Sequence, residues 1–288
     1  MVARESWPRV GGIIWRNYVT SVGLICKAAI ALGICSLRVK GLSTLDTALH
    51  SQHRQGILTV SNHISTVDDP LVWAALPLRY YLSSTTTRWT LGASDVMFTN
   101  PIFSTFFRLG QTLETFRGKG VYQPSVDAAI QKLSDGQWIH LFSEGKINQP
   151  NTYSIDSRGY AHLPRFKWGV GRILMEAPIL PVIIPMWLTG FDRLMPEGRT
   201  FPYKYFPRPG VELTITFGDP IPAKDITSCL DTCISNRPER LTAGTSEATF
   251  EASKARVAVT TLIHQRVEEL GRAVSGNELG APLSSPHQ

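Results

Sequence analysis

The rhythm of hydrophobic and polar positions changes along the chain. Near the N-terminus Trp7, Val10, Ile14 and Tyr18 recur at helical spacing with Arg4, Arg9 and Arg16 between them, which predicts an interfacial helix. Residues Tyr18 to Leu37 are mostly apolar and about long enough to cross a bilayer, but Lys27 at the centre of the run costs about 2.5–3.5 kcal/mol to insert. A helix lying on or dipping into a membrane is therefore expected, with a buried core helix as the alternative. From Gly56 the rhythm shortens. Strand-like runs at Ile57–Val60, Arg88–Leu91, Thr112–Phe116, Trp138–Phe142, Leu180–Ile184 and Val211–Phe217 alternate with helical patterns at Pro70–Leu76, Phe103–Leu109, Pro124–Leu133 and Phe166–Ala177. That alternation predicts an α/β fold, with Gln123-Pro124 and Pro164-Arg165 as helix starts. Pro178, Pro181 and Pro185 interrupt Ala177–Leu188 too often for a continuous helix, which leaves a core strand or a shallow membrane dip. Ser235–Thr249 reads as a polar linker, and Phe250, Val257, Ile263 and Val267 mark a final helix over Phe250–Leu270.

Composition narrows the class. A chain of 288 residues with 43% hydrophobic and 18% charged residues holds a sizeable core in one or two domains and excludes wholesale disorder. Its 23 glycines and 19 prolines follow no period, which excludes collagen, solenoid and coiled-coil readings. The net charge of +6 is dispersed rather than clustered, so an anionic membrane surface or phosphate groups suit it better than nucleic acid, which is not expected as a partner. Cys26, Cys35, Cys229 and Cys233 lack metal-ligand spacing with histidines, so neither a metal site nor a disulfide framework is expected.

Two segments carry chemistry. The first, Ser61-Asn62-His63-Ile64-Ser65-Thr66-Val67-Asp68-Asp69-Pro70, follows a strand and precedes a helix. A carboxylate placed to fix an imidazole tautomer and steady its cation makes a dyad that removes a proton from a hydroxyl. The alternative is helix capping, which suits Asp69 before Pro70 and leaves Asp68 for the dyad. The second, Leu141-Phe142-Ser143-Glu144-Gly145-Lys146-Ile147-Asn148, leaves another strand through a Glu-Gly turn whose glycine exposes backbone to a ligand. By itself it reads more readily as an ordinary turn with a solvated glutamate. No Gly-x-Ser-x-Gly element stands at a strand-helix turn; the nearest string, Gly244-Thr245-Ser246-Glu247-Ala248, lies in the expected linker.

Together, Asn62-His63 with Asp68, Arg117-Gly118, Phe142-x-Glu144-Gly145 and Leu180-Pro181-Val182-Ile183-Ile184-Pro185 resemble the four-block signature of the glycerolipid acyltransferase superfamily. The likeness covers roughly Gly56 to Pro220, and the runs around Asp68-Asp69-Pro70, Lys146-Ile147-Asn148, Phe166–Arg172 and Pro185-Met186-Trp187 are most similar to its cardiolipin-remodelling branch. Ser143 departs from the family's usual proline, which loosens the turn but removes no reactive group. The resemblance implies a mixed central sheet with flanking helices behind an N-terminal membrane-associated segment: residues 1–40 for that segment, 41–225 for the acyltransferase domain, and 226–288 for linker, helix and tail. It implies His63 as base and Asp68 as its partner. Arg117, Gly118, Glu144 and Gly145 would bind the glycerophosphate; Lys167, at the expected helix start, reads as a further phosphate contact or equally as a solvated lysine. Trp168 and Trp187 are expected to pack rather than react.

By the same resemblance the activity is coenzyme A-independent transacylation between phospholipid and lysophospholipid, with cardiolipin and monolysocardiolipin as substrates and no cofactor. An acyl-coenzyme A-dependent lysophosphatidate-type acyltransferase is the alternative. The implied location is a mitochondrial membrane, with peripheral or monotopic attachment facing the intermembrane space.

Overall fold

The computed structural model describes residues 12–51, 55–83, 85–235 and 246–280. Its elements, in chain order, are α1 (Gly12–Ala31), β1 (Cys35–Lys40), α2 (Leu42–His50), β2 (Ile57–Ser61), α3 (Asp68–Ala74), a 3-10 turn (Leu78–Leu82), β3 (Trp89–Ala93), α4 (Ser94–Met97), α5 (Pro101–Leu109), β4 (Thr112–Thr115), α6 (Pro124–Ser134) and β5 (Trp138–Phe142). There follow a small hairpin of β6 (Ser154–Ile155) and β7 (Ala161–His162), then α7 (Gly169–Glu176), β8 (Val182–Thr189), α8 (Phe191–Leu194), β9 (Val211–Phe217), α9 (Ala223–Ser235) and α10 (Ser246–Ser275).

Seven strands form one mixed sheet in the order β1-β9-β8-β2-β5-β3-β4. From β8 to β4 the neighbours are parallel; β9 runs antiparallel to β8, and β1 parallel to β9. Period-two alternation divides the strands between two cores. On β8, Ile183 and Trp187 join one core, with Val126, Ile173, Val259 and Ile263 from α6, α7 and α10. Ile184, Met186 and Leu188 join the other, with Val19, Leu45 and Val72 from α1, α2 and α3. Helices thus cover both faces, as a mostly parallel sheet requires.

Several boundaries differ from the pattern. The apolar run Tyr18–Leu37 is two elements: α1 ends at a turn whose Gly33 has φ +77°, and the chain continues as the edge strand β1. Lys27 turns inward, its Nζ donating to the Ala74 carbonyl at 2.8 Å. No helix among the described residues is long and apolar enough to cross a membrane. Trp7 and Val10 of the expected interfacial helix lie outside the described residues. Ala177–Leu188 is a core strand from Val182 onward, because there it is β8, hydrogen-bonded between β2 and β9 and buried. Pro185 is tolerated there because pairing with β9 begins only at Met186. The helix expected from Phe166 begins at Gly169. Buried Phe166 and the bond from Lys167 N to Ser143 O (2.7 Å) hold the preceding residues extended. The end of the expected linker, Ser246–Thr249, is already α10.

Candidate active site

The site is built at the carboxyl ends of adjacent parallel strands, where open α/β sheets bind ligands. β2 and β5 pair in register with Ser61 opposite Phe142, so the loops that follow them emerge side by side. They are then stitched together. The His63 amide donates to Glu144 Oε1 (2.8 Å), the Asn148 amide to the His63 carbonyl (2.8 Å), and Asn148 Nδ2 to Glu144 Oε2 (2.6 Å). Asn62 anchors the loop from below: its Nδ2 donates to the Leu188 carbonyl (2.9 Å) and its Oδ1 accepts from the Leu188 amide (2.8 Å).

Within this frame His63 Nδ1 lies 2.9 Å from Asp68 Oδ2, which also accepts the amides of Ile64 (2.7 Å) and Ser65 (2.9 Å). An oxygen that accepts two amides is an acceptor toward the ring as well, so Nδ1 carries the proton and Nε2 is left as the basic nitrogen. The Asp68 side chain is fully buried, while that of His63 is 20% exposed. Burial pushes the Asp68 carboxyl up, against the lowering pull of its bonds to His63, Ser65 and Ile64. The imidazole stacks on Phe142 with ring centroids 4.4 Å apart, and the edge of a second imidazole, His140, meets the same ring at 4.5 Å. His140 is neutral, its pKa driven down to about 3 by burial, and its Nδ1 lies 2.7 Å from Thr59 Oγ1.

Asp69 does not cap α3, which begins at Asp68 with Val67 as its cap residue. Its carboxylate instead holds both ends of the buried Arg88 guanidinium, with Nε to Oδ1 at 2.7 Å and Nη2 to Oδ2, while Nη1 donates to the Gly110 carbonyl (2.7 Å). Arg88 lies over the Trp73 ring at 4.3 Å. This ion pair fixes the helix that carries Asp68 against the start of β3, a role the local sequence does not announce.

Beside the dyad opens a cavity of about 810 Å3, with Phe142, Leu141, Leu91 and Val126 among its apolar lining. Arg117, Lys146, Arg165 and Lys167 also line it, and no carboxylate does. Arg117 is half-exposed and pairs with Asp95 outside the lining (3.2 Å). Gly118 lines the cavity with φ +78°, a conformation that favours glycine. At Gly145, φ is +75° and an added Cβ would stand 3.0 Å from Lys167 Cγ, so the lysine stem lies across the bare glycine. Glu144 faces away from the cavity: both oxygens are engaged by His63 and Asn148, and burial pushes its pKa up to about 8. Lys146 and Asn148 were visible in the motif run; nothing in the sequence marks Arg88 or Arg165. Trp168 is 43% exposed at the cavity wall, whereas Trp187 is fully buried. Ser246 of the lipase-like string starts α10, and Gly244 and Thr245 lie outside the described residues.

The Acyltransferase family profile matches residues 37–189, the stretch that holds both stitched loops and the cavity. A Dictyostelium discoideum protein named Taffazin is 35% identical over 219 residues, covering 74% of this chain and 71% of that protein. An Arabidopsis thaliana N-acylphosphatidylethanolamine synthase is 34% identical over 215 residues, covering 74% and 72%. The fold is similar to that of the acyltransferase PlsC from Thermotoga maritima, with a TM-score of 0.53 at 17% identity over 88% of this chain and 80% of that one. Matched by the profile through the strands that deliver His63 and Glu144, and related along most of its length to proteins of that name, the chain belongs to the tafazzin family of acyltransferases.

Proposed function

We propose that the protein moves an acyl chain from a phospholipid to a lysophospholipid without coenzyme A, and that cardiolipin and monolysocardiolipin are its substrates in a mitochondrial membrane, attached from the intermembrane space. The observation that carries this reading is the His63–Asp68 pair beside a cavity lined by four cations and apolar side chains. A phosphodiester is anionic at every physiological pH, and Arg117 and Lys167 are the residues to hold it; the arginine fork suits its paired oxygens. Gly118 lets the head group approach the backbone, while the bare Gly145 makes room for the Lys167 stem. Glu144 acts through His63 by fixing the loop that carries it.

In the reaction, His63 Nε2 takes the proton of the lysolipid hydroxyl as that oxygen attacks the ester carbonyl of the donor. The imidazolium, steadied by Asp68, then returns the proton to the departing alkoxide as the tetrahedral intermediate collapses. One ester forms and one breaks, so the exchange is nearly thermoneutral and needs no activated thioester. The test is to incubate purified protein with labelled phospholipid and monolysocardiolipin in the absence of any thioester. Transfer is expected, and His63→Ala should lower it by about 10²–10⁴-fold. Label that moves only when acyl-coenzyme A is added would replace this reading with the thioester-dependent one. The name of the Arabidopsis relative favours a second acceptor, the amine of phosphatidylethanolamine, and the same assay with that lipid distinguishes amide from ester product.

A further inference from the structure

Of the four cations that line the cavity, Arg165 and Lys167 stand on a short strap between β7 and α7, with buried Phe166 between them. Leu163, at the start of the strap, is buried and in no sheet, so its amide and carbonyl need partners. Near α7 the strap is pinned to the loop after β5 by the bond from Lys167 N to Ser143 O. At its other end the partner is α10, which lies beyond the stretch matched by the family profile. His264, Glu268 and Arg272 recur at four-residue spacing and therefore share one face of that helix. His264 Nε2 donates to the Leu163 carbonyl (2.9 Å), Glu268 Oε2 accepts the Leu163 amide (3.0 Å), and Arg272 Nη2 donates to the Ala161 carbonyl (2.8 Å). One helix face thus satisfies this backbone as a neighbouring strand would. The set is braced within itself: Arg272 pairs with Glu268, whose Oε1 lies 3.4 Å from His162 Nδ1. The His264 ring also packs edge to face with Phe166, the residue between the two cations, with ring centroids 5.0 Å apart.

We propose that His264, Glu268 and Arg272 are positioning residues that set the cavity's affinity for a head-group phosphate, by holding Arg165 and Lys167 at its wall. Both cations are exposed, and an exposed, flexible side chain is no better placed than the backbone that carries it. The attraction between cation and phosphate decays with separation and with screening, so a strap that drifts weakens binding without touching the proton chemistry at His63. Lys167 is held twice, by Ser143 and by its stem over Gly145, whereas Arg165 stands nearer the α10 pin. Arg165 is therefore the cation that depends most on α10. This role for the strap rests on the head-group reading of the cavity.

The test uses the full chain in nonionic detergent, with lysophosphatidylglycerol as acceptor in transfer kinetics and as ligand in equilibrium binding. His264→Phe keeps a ring against Phe166 and loses the donor; Glu268→Ala loses the acceptor. Each should raise KM and Kd by about tenfold, the scale of one lost charge-assisted contact, while kcat stays within about twofold of the parent. Glu268→Gln, which keeps an acceptor for the Leu163 amide, should recover most of that loss. Arg165→Gln should raise KM by a similar factor alone and add little to His264→Phe, because the guanidinium has already left its place. In the parent, lysophosphatidylglycerol should slow hydrogen exchange of residues 163–168, a readout that needs no variant to fold. Effects of Arg165→Gln and His264→Phe that multiply as independent ones overturn the proposal. So does a lowered unfolding midpoint with KM unchanged, which would make the α10 face a brace for the fold alone, or a strap that the lipid leaves unprotected. Binding by the parent without any transfer would count against the transacylase reading alone, because binding and exchange are read without turnover.

Discussion

At the scale of single residues, adjacent carboxylates do unlike work. From sequence, Asp69 is a cap that asparagine could replace at little cost; in the structure it is the counter-ion of Arg88, whose side chain is 4% exposed. Asp69→Asn is therefore expected to destabilise the protein by about 3 kcal/mol, seen as a shifted urea midpoint, because a buried guanidinium loses its charge partner. Activity per folded molecule should be largely kept. Asp68→Asn should do the reverse, lowering turnover steeply by losing the charge that steadies the imidazolium. Glu144 supplies a pH signature. Its folded pKa, about 8, lies above the ordinary value of 4.5, so between these values the folded protein holds a proton that the unfolded chain releases. Stability should fall as pH rises through that window, by at most about 1.4 kcal/mol per pH unit for this group, and level off above it. Asp68, also pushed up, contributes with the same sign. Glu144→Gln should flatten the slope of unfolding free energy against pH; an unaltered slope would mean that the carboxyl is not held protonated by burial.

At the scale of elements, the last helix belongs to the main core. α10 lies against α7 so closely that a Cβ at Gly171 would stand 2.4 Å from the Arg256 carbonyl. Gly171→Ala should cost about 1–3 kcal/mol in a denaturant titration, because backbone rather than a flexible side chain must give way. The inner strands were legible because their side chains are buried and the runs are bounded by turns. β2 and β5 appear within a residue of their expected ends. β1 was hidden because the apolar run carries on from α1 through Ile34, Cys35 and Leu37, with only Gly33 to mark the turn. Pro164-Arg165 misled because a long-range bond, Lys167 to Ser143, outweighs a local start signal. The same division holds in the site. His63, Asp68, Glu144 and Gly145 stand in short recognisable strings, while the partners that fix them, Leu188 for Asn62 and Arg88 for Asp69, are distant in sequence and leave no local mark.

At the scale of the whole molecule, two kinds of attraction act on a lipid and respond differently to salt. Cations in the cavity act through charge, whose reach contracts from about 30 Å at 0.01 M salt to about 3 Å at 1 M. Apolar side chains exposed on α1 and α5, such as Ile25 and Ile102, would act through contact that salt does not screen. Raising salt should therefore increase KM for an anionic lysolipid while leaving the protein on phospholipid vesicles; release by salt alone would show that charge dominates attachment. The edge of the sheet has a consequence for biosynthesis. β1 precedes every other strand of the sheet in the chain, yet Cys35 pairs with Val211 and Lys40 with Thr216, on the strand that is translated last. Until then the edge strand has no partner, although the helix before it can already rest on Ala74 and Tyr81. Closure must wait for distant sequence, which makes folding slow and leaves the nascent chain open to aggregation. During that interval a chaperone has its opportunity to hold the chain at the unpaired strand β1.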